Sequence, residues 1–384
     1  MVRVALFWTA AATVLYTYAV YPLVVLLRGA VGRRPYRTAD ITPTVSVLVA
    51  AHNEADNIGA KLENLVGLQY PGEQLEIVVA SDGSDDDTDR IVAAYRCPAV
   101  RLLALPRVGK AQALNAAVAA SAGEILVFTD ANSAFAADAL RWLVRPFADP
   151  GVGGVAGDQR YLEDGGGPRS GEGERRYWDF DRMLKRAQSA AGSAVSATGA
   201  IYAVRRALFQ QVPEGVTDDF ATSTAVVAAG YRLVFEPRAI AYEPVAPSSG
   251  LEFARKVRVI TRGLRGVAAR RELLDVRRHG FYALQLTSHK VLRRTMVFPL
   301  VAIAATSPGL RRRGPVYRAA ALAQVAGYGL GVAGLALSGT RVGHKRVLAI
   351  PAYFCMVNVA ALNAAWNLVR GRRIDRWEPR RSTR

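Results

Sequence analysis

Four polar residues have side chains that suit the binding of a phosphorylated ligand. Each lies at the end of an apolar run or in the segment between two such runs. They are Asn53, Asp82, Lys110 and Asp130. An aspartate at the end of a buried strand can hold a divalent metal against phosphate oxygens, and a lysine can face phosphate as a point charge. Taken singly, Asp130 could simply open a turn and Lys110 could be a surface lysine. The chemistry therefore depends on whether the fold brings the four together.

The segments that must position them alternate between two patterns. Apolar runs predict strands over residues 45–50, 75–80, 100–105 and 125–128, and helices are predicted over 56–66, 89–95 and 110–120. This alternation is typical of βαβ units and a mostly parallel sheet. Because right-handed crossovers place the carboxyl ends of parallel strands on one edge, we expect the four residues to converge there.

Both ends of the chain are apolar enough to enter a membrane. Residues 4–27 carry no charge, which is enough helix to cross a hydrocarbon core of about 30 Å. A cleaved signal peptide is the alternative, but three tyrosines near one end of the segment favour an anchor. Residues 319–340 and 347–369 are also uncharged and long enough to span.

The arginines indicate an orientation. The basic stretch 28–37 places the middle of the chain in the cytoplasm by the positive-inside rule. Residues 295–310 are apolar but short and contain two prolines, so they could form a short span or a re-entrant or interfacial segment, and we prefer a topology in which they do not cross. In that topology the basic residues 311–313 and the arginine-rich tail 370–384 both stay inside.

Composition narrows the possible partners. The net charge of +18 suits nucleic acid, anionic lipid or an anionic substrate, and the position of the arginines beside apolar runs favours a membrane over nucleic acid. The two cysteines lie far apart and the four histidines show no metal-ligand spacing. No G-x-G-x-x-G follows the first strand and no P-loop motif occurs, which argues against a dinucleotide or P-loop site.

Four sequence segments carry a resemblance to a known family. They read PTVSVLVAAHNE (43–54), VASDGSDDDT (79–88), GKAQALN (109–115) and FTDAN (128–132). Their order and spacing resemble family 2 glycosyltransferases, in particular the membrane-bound branch with the cellulose, hyaluronan and poly-N-acetylglucosamine synthases. The resemblance runs from about residue 43 to 290. It implies an α/β domain of the GT-A type, a Rossmann-like nucleotide-sugar-binding fold, flanked by transmembrane helices.

The resemblance implies roles for the first half of the domain. Asp82 would contact the uridine part of a nucleotide sugar, with Asn53 and Glu54 nearby, and Lys110 would lie near the diphosphate. Asp130 occupies the metal-binding position.

The metal-binding motif of the family, D-x-D, reads Asp130-Ala131-Asn132 here, so an amide replaces the second carboxylate. The resemblance implies a divalent cofactor, Mg²⁺ or Mn²⁺, at Asp130 and Asn132. Asn132 could instead bind sugar or phosphate.

Two segments of the second half resemble the family's acceptor side. Gly199 lies in a small-residue segment that the family has near the acceptor sugar, and it could equally be a tight turn before a buried strand. Thr217-Asp218-Asp219 resembles Thr-Glu-Asp, whose last acid is the base that deprotonates the acceptor hydroxyl. The same two acids could cap the helix that follows.

A third segment, residues 253–259, lies where the family has Gln-x-x-Arg-Trp. Arg258 matches the arginine that would meet the diphosphate leaving group. Arg255 replaces the glutamine and Val259 replaces the tryptophan, so processivity is left open. A basic amphipathic helix at the membrane surface is the alternative, and one helix could do both.

These observations predict an integral protein of the cell (inner) membrane with three parts: an anchor and linker (1–40), a cytoplasmic GT-A domain (41–290) and C-terminal interfacial or transmembrane segments with a basic tail (291–384). The expected activity is inverting transfer from UDP-glucose or UDP-N-acetylglucosamine to a polysaccharide or glycolipid acceptor. Expected partners are this donor, a saccharide or lipid-linked acceptor and membrane lipids, and partner subunits could join them. Alternatives are a transferase adding one sugar to a lipid, and an inactive subunit of a synthase.

Overall fold

The computed structural model describes residues 1–161, 172–244, 249–343 and 345–372, so the predicted basic tail lies outside the described residues beyond 372. The described strands form one sheet. They are β1 (Val45–Ala51), β2 (Leu75–Asp82), β3 (Val100–Leu105), β4 (Ile125–Asp130), β5 (Ala134–Phe135), β6 (Val152–Tyr161), β7 (Tyr202–Arg205) and β8 (Arg232–Glu243).

Helices precede, connect and follow these strands. They are α1 (Val2–Leu15), α2 (Tyr21–Val31), α3 (Ala55–Val66), α4 (Thr88–Ala94), α5 (Lys110–Ala120), α6 (Ala139–Val144), α7 (Glu172–Ala191), α8 (Asp218–Ala228), α9 (Ser249–Ala269), α10 (Val276–His279), α11 (Phe281–Leu286), α12 (Val297–Leu310), α13 (Pro315–Ala336) and α14 (Arg346–Val369). A π-helical segment, Tyr16–Val20, joins α1 to α2 without a break.

Contacts divide the chain into two compact units, and the first contains the sheet, with described residues 28–161 and 185–244. The strand order is β3-β2-β1-β4-β7-β6-β8-β5. β1 pairs in parallel with both β2 and β4, and β2 with β3. The order of the parallel strands therefore changes direction at β1, with β2 and β3 on one side of it and β4 on the other. In open α/β sheets, ligands bind at the carboxyl ends of the strands flanking such a point.

The sheet is buried on both faces, which explains why its central strands read as continuous apolar runs. Every residue of β1 is buried. On one face Phe128 of β4 stacks on Tyr202 of β7, with ring centroids 4.8 Å apart. On the other face Ile58, Leu62 and Leu65 of α3 cover the strands. This packing holds the strand ends rigidly, so the loops that follow them start from fixed positions.

The second unit contains described residues 1–27, 172–184 and 249–372. Phe7 of α1 packs edge-on against Tyr317 of α13, with centroids 4.8 Å apart. Helix α13 packs closely against α14 at Gly334. A Cβ atom added there would lie 2.5 Å from the carbonyl oxygen of Leu348 in α14. Among the described residues, three helical segments are long and apolar enough to cross a membrane: Val2–Val31, α13 and α14.

The predicted elements of the first half are confirmed to within two residues. Helix α3 begins at Ala55, one residue before the predicted start at 56, and its N-cap is Glu54. The short apolar segment predicted at 295–310 forms α12, a helix of 14 residues with Pro308 inside it. Its position relative to a membrane, the orientation of the chain and the domain boundaries at 40 and 290 stay predictions.

Candidate active site

The loop after β1 is tied to the loop after β2 by Asn53. The backbone of Asn53 is left-handed, with a φ of 52°, a conformation that asparagine tolerates better than most residues. Its side-chain oxygen accepts the backbone N–H of Asp85 at 2.9 Å, its amide nitrogen donates to the Asp85 carboxylate, and its own backbone N–H donates to Ser84. Asn53 therefore fixes the relative position of two loops at the predicted nucleotide edge.

Glu54, the next residue, is buried and has a similar local function. Its backbone N–H donates to the hydroxyl of Thr88 at 2.8 Å, and its carboxylate accepts from the side-chain amide of Asn57 at 2.7 Å. Both contacts secure the start of α3. Whether Asn53 and Glu54 also touch a nucleotide stays a prediction.

Asp82 holds the loop that leads into α5. Its carboxylate is fully buried and accepts the backbone N–H groups of Val108 and Gly109 at 2.7 and 2.8 Å. Its second oxygen accepts from the guanidinium of Arg107 at 3.1 Å. The sequence did not indicate that Asp82 holds this loop. Because its hydrogen bonds fix the loop, Asp82 sets where α5 begins, and Lys110 is the first residue of α5.

Lys110 connects two motifs that lie far apart in the chain. Its ammonium nitrogen is 2.7 Å from an Asp130 carboxylate oxygen and 3.2 Å from an oxygen of Asp218. Burial by itself lowers the pKa of Lys110, but the two carboxylates outweigh burial and raise the pKa above its ordinary value. Lys110 is therefore a permanent positive charge between two acids, and the predicted convergence of Lys110 with Asp130 is confirmed.

Asp130 and Asn132 are the two residues predicted to bind a metal. Asp130 is the last residue of β4, and Asn132 lies in the turn that follows. A carboxylate and an amide oxygen are hard ligands that suit Mg²⁺ or Mn²⁺. The described residues contain no group of three or more His, Cys, Asp or Glu side chains that could hold an ion. The donor set thus fits an ion that takes its remaining ligands from substrate phosphates and water.

Gly199 lies beside the Asp130 carboxylate. A Cβ atom added at Gly199 would be 3.1 Å from Oδ2 of Asp130, tighter than an ordinary van der Waals contact. The absence of a side chain therefore leaves one oxygen of Asp130 accessible. The role of Gly199 beside the acceptor sugar stays a prediction.

Asp218 and Asp219 form the first turn of α8, where the helix dipole stabilises negative charge. Asp218 accepts a long hydrogen bond from the hydroxyl of Tyr202 at 3.4 Å in addition to its ion pair with Lys110. Asp219 accepts the N–H of Phe220 at 2.7 Å. Burial, with the two acids adding to it, raises the pKa of Tyr202, which keeps that hydroxyl a donor. The lysine thus pairs with the first acid of the pair. The role of Asp219 as the proton acceptor stays a prediction.

Arg258 lies on α9, in the unit that contains the apolar helices. Its neighbour Arg255, which replaces the family's glutamine, binds Glu252 at 2.7 Å, and Val259 is exposed. The amphipathic helix predicted for this segment is confirmed by α9. The predicted role of Arg258 at the leaving group stays a prediction.

Sequence reasoning missed Lys61. This residue is 2% exposed, and its amine donates to Thr129 at 2.8 Å and to the carbonyl and hydroxyl oxygens of Ser133 at 2.7 and 3.1 Å. A signal was present, because residue 61 falls at the same helical spacing as the apolar residues Ile58 and Leu65. A lysine on the apolar side of a predicted helix is a reason to look for a buried polar network.

Comparisons with known proteins agree with this geometry. The family described as "Glycosyltransferase like family 2" matches residues 43–275. The poly-β-1,6-N-acetyl-D-glucosamine synthase of Staphylococcus aureus is 26% identical over 242 residues, which make up 60% of this chain and 57% of that protein. That of Staphylococcus epidermidis is 26% identical over 224 residues, with coverage of 56% and 53%. The chain thus spans little more than half the length of these synthases.

A solved structure matches nearly the whole chain. The mannosyltransferase PcManGT from Pyrobaculum calidifontis, in complex with GDP-Man and Mn²⁺, is 27% identical with a TM-score of 0.68. The match covers 93% of this chain and 99% of that one. This likeness confirms the predicted GT-A architecture.

Proposed function

The chain belongs to glycosyltransferase-like family 2, and we propose that it transfers a sugar, with inversion, from a nucleotide sugar to an acceptor at a membrane. One observation carries the proposal. Lys110 joins Asp130, the predicted metal ligand, to Asp218, beside the predicted base. Three motifs spread between residues 110 and 218 therefore meet at one point, as a donor site and a transfer site must.

The reaction follows from what these side chains can do. Asp130 and Asn132 would hold a divalent metal, Mg²⁺ or Mn²⁺, which when bound neutralises charge on the donor diphosphate. Asp219 accepts the proton of the acceptor hydroxyl as its oxygen attacks the anomeric carbon of the donor sugar. The bond from that carbon to the diphosphate breaks on the opposite side, and the nucleoside diphosphate leaves. Lys110 stabilises the negative charge that the leaving group gains.

The donor we propose first is UDP-N-acetylglucosamine or UDP-glucose, and the acceptor a growing polysaccharide or a glycolipid. The synthase relatives support the former sugar, although they match over 60% of this chain or less. A second candidate is mannosyl transfer from GDP-mannose, supported by the likeness to PcManGT over 93% of the chain. Three apolar helical segments of the described chain support action at a membrane. The cytoplasmic orientation of the catalytic domain is part of this proposal, and the basic stretch 28–37 supports it.

A donor screen with product analysis tests the proposal. The purified protein is incubated with Mn²⁺, a lipid extract and each nucleotide sugar in turn, and product mass is measured. A long polymer from one donor indicates a synthase, and a single added sugar indicates a lipid transferase. Release of no nucleoside diphosphate from any donor would indicate the inactive-subunit alternative.

The base assignment has its own test in Asp219→Asn. The substitution keeps the shape of the side chain and removes its basicity, so we expect transfer to fall by about 10²–10⁴-fold while nucleotide binding is kept. Asp56→Asn is the matched control, because it also removes an acid from the first turn of a helix of the same domain. Near-normal turnover in Asp219→Asn would reject the assignment.

A further inference from the structure

Lys61 is a buried amine with every N–H group used. It extends from α3 beneath the end of β4, where its three donors meet Thr129 Oγ1, Ser133 O and Ser133 Oγ at 2.8, 2.7 and 3.1 Å. All three acceptors are neutral. A lysine amine, with three donors and no acceptor when charged, matches this set of oxygens completely.

The hydroxyls of Thr129 and Ser133 extend this hydrogen-bond network to both sides of the site. Ser133 Oγ donates to the backbone carbonyl of Asp130 at 2.9 Å, which closes the turn that carries Asn132. Thr129 Oγ1 donates to the carbonyl of Ala200 at 2.8 Å, directly after Gly199. One amine thus links the metal-binding turn to the glycine segment beside it.

Stability alone gives no reason for a lysine here. The neighbouring core positions of α3 are apolar, and a methionine or leucine would fill the space without desolvating an amine. Burial lowers the pKa of Lys61 to about 7, although Asp130 and Glu243 act in the opposite direction. The fold therefore accepts a cost to place a hydrogen-bond donor at this point.

We propose that Lys61 is a positioning residue that sets the Asp130–Asn132 turn against Gly199, so that metal and donor diphosphate bind in one geometry. It acts through Thr129 and Ser133 and touches no substrate. This inference rests on the proposed function, because it assigns Lys61 to the donor site of the same reaction.

Two substitutions test the network at different points. Lys61→Met keeps the length and apolar stem of the side chain and removes the donors, whereas Ser133→Ala keeps the amine and removes the link to Asp130. The probes are UDP and GDP, each titrated calorimetrically into detergent-solubilised full-length protein with and without Mn²⁺. Removing an outer-shell partner of a metal ligand typically weakens metal binding by about 10–100-fold, and we expect a loss of that size in Mn²⁺-dependent nucleotide affinity for both variants.

Arg206→Met is the matched control. Arg206 is also a cation that binds backbone oxygens, donating to the carbonyl of Gly123, just before β4, and to that of Val118, near the end of α5. We expect it to lower the melting temperature without changing nucleotide affinity. A purely structural role for Lys61 predicts that Lys61→Met and Arg206→Met behave alike.

Each outcome decides the question. Unchanged affinity in Ser133→Ala, or in a folded Lys61→Met, overturns the proposal, and if Lys61→Met does not fold then Ser133→Ala decides alone. The double variant should lose much less than the two single losses combined, since both break one connection. A wild-type protein that binds neither nucleotide with Mn²⁺ would overturn the proposed function itself, and the role of Lys61 with it.

Discussion

The position of Lys110 between two acids makes a quantitative prediction for Lys110→Met. The ammonium lies 2.7 Å from Asp130 and 3.2 Å from Asp218. At an effective dielectric constant of about 20, these distances correspond to Coulomb energies of about 6 and about 5 kcal/mol. Desolvation of the three groups offsets most of this attraction.

Measured losses give the better guide to the net effect. Removing one member of a buried ion pair costs about 3–5 kcal/mol, because the remaining charge is left without a partner. The side chains here are 15%, 31% and 15% exposed for Lys110, Asp130 and Asp218, so water relieves part of that cost. We therefore expect a loss of about 3 kcal/mol, or roughly 6–12 °C in melting temperature for a domain of this size.

A divalent ion should reverse this loss. Lys110→Met removes the positive charge that lies between Asp130 and Asp218, so we expect these two acids to bind Mn²⁺ more readily than in the wild type. Without nucleotide, 1 mM Mn²⁺ (on the order of typical assay concentrations) should raise the melting temperature of the variant by more than it raises that of the wild type, because bound ligand stabilises the folded state by mass action. Differential scanning fluorimetry in detergent measures both effects.

The control for Lys110→Met is Arg90→Met. The ion pair of Arg90 with Asp87 is 2.9 Å long but lies in solvent, so its loss should leave the melting temperature unchanged. If Lys110→Met melts with the wild type and gains nothing extra from Mn²⁺, then Lys110 does not hold the two acids together. The electrostatic account of the donor site would then be wrong.

Two further predictions concern a glycine and a histidine. Gly83 has a φ of 61°, and a Cβ atom there would lie 2.8 Å from the backbone nitrogen of Arg107. Gly83→Ala should therefore cost about 1–3 kcal/mol of stability and weaken nucleotide binding, which calorimetry measures. Gly72→Ala, with open space around it, should do neither. Burial lowers the pKa of His289 to about 4, with Asp181 opposing and Arg293 and Lys290 assisting, so the fold favours the neutral ring. The contribution of neutral His289 to the stability of the folded state is complete above pH 6.5 and is lost as the pH falls toward 4, by roughly 3 kcal/mol in all. The melting temperature of His289→Gln should therefore change less with pH in that range than the melting temperature of the wild type.

The parallel half of the sheet could be predicted from sequence because its strands are short, buried apolar runs. The end of β4 is one example, since Ile125–Asp130 is apolar up to Thr129 and then abruptly acidic. Strands β6 and β8 were not predicted. In β6 the glycines at 153, 154 and 157 interrupt the apolar pattern, and at least one is required by packing: a Cβ atom at Gly157 would lie 2.6 Å from the carbonyl oxygen of Ala239.

Side-chain partners were harder to predict than positions. The convergence of Lys110 with Asp130 follows from topology, but the choice of Asp218 as second partner depends on where α8 begins relative to β7. The same holds for Asp82. Its position at the end of β2 was readable, whereas its bonds to the backbone of Val108 and Gly109 depend on how β3 returns toward β2. Local pattern specifies an element, and tertiary packing specifies which polar groups meet.

Charge balance explains how the site can function with Asn132 in place of a second acid. Asp130 and Asp218 already place two negative charges beside the single positive charge of Lys110. A carboxylate at residue 132 would add another beside them, and like charges this close disfavour one another's ionised form. An amide supplies a neutral oxygen ligand without that repulsion. The metal then depends on the donor diphosphate for its remaining negative ligands, so metal and nucleotide should bind more tightly together than either binds alone.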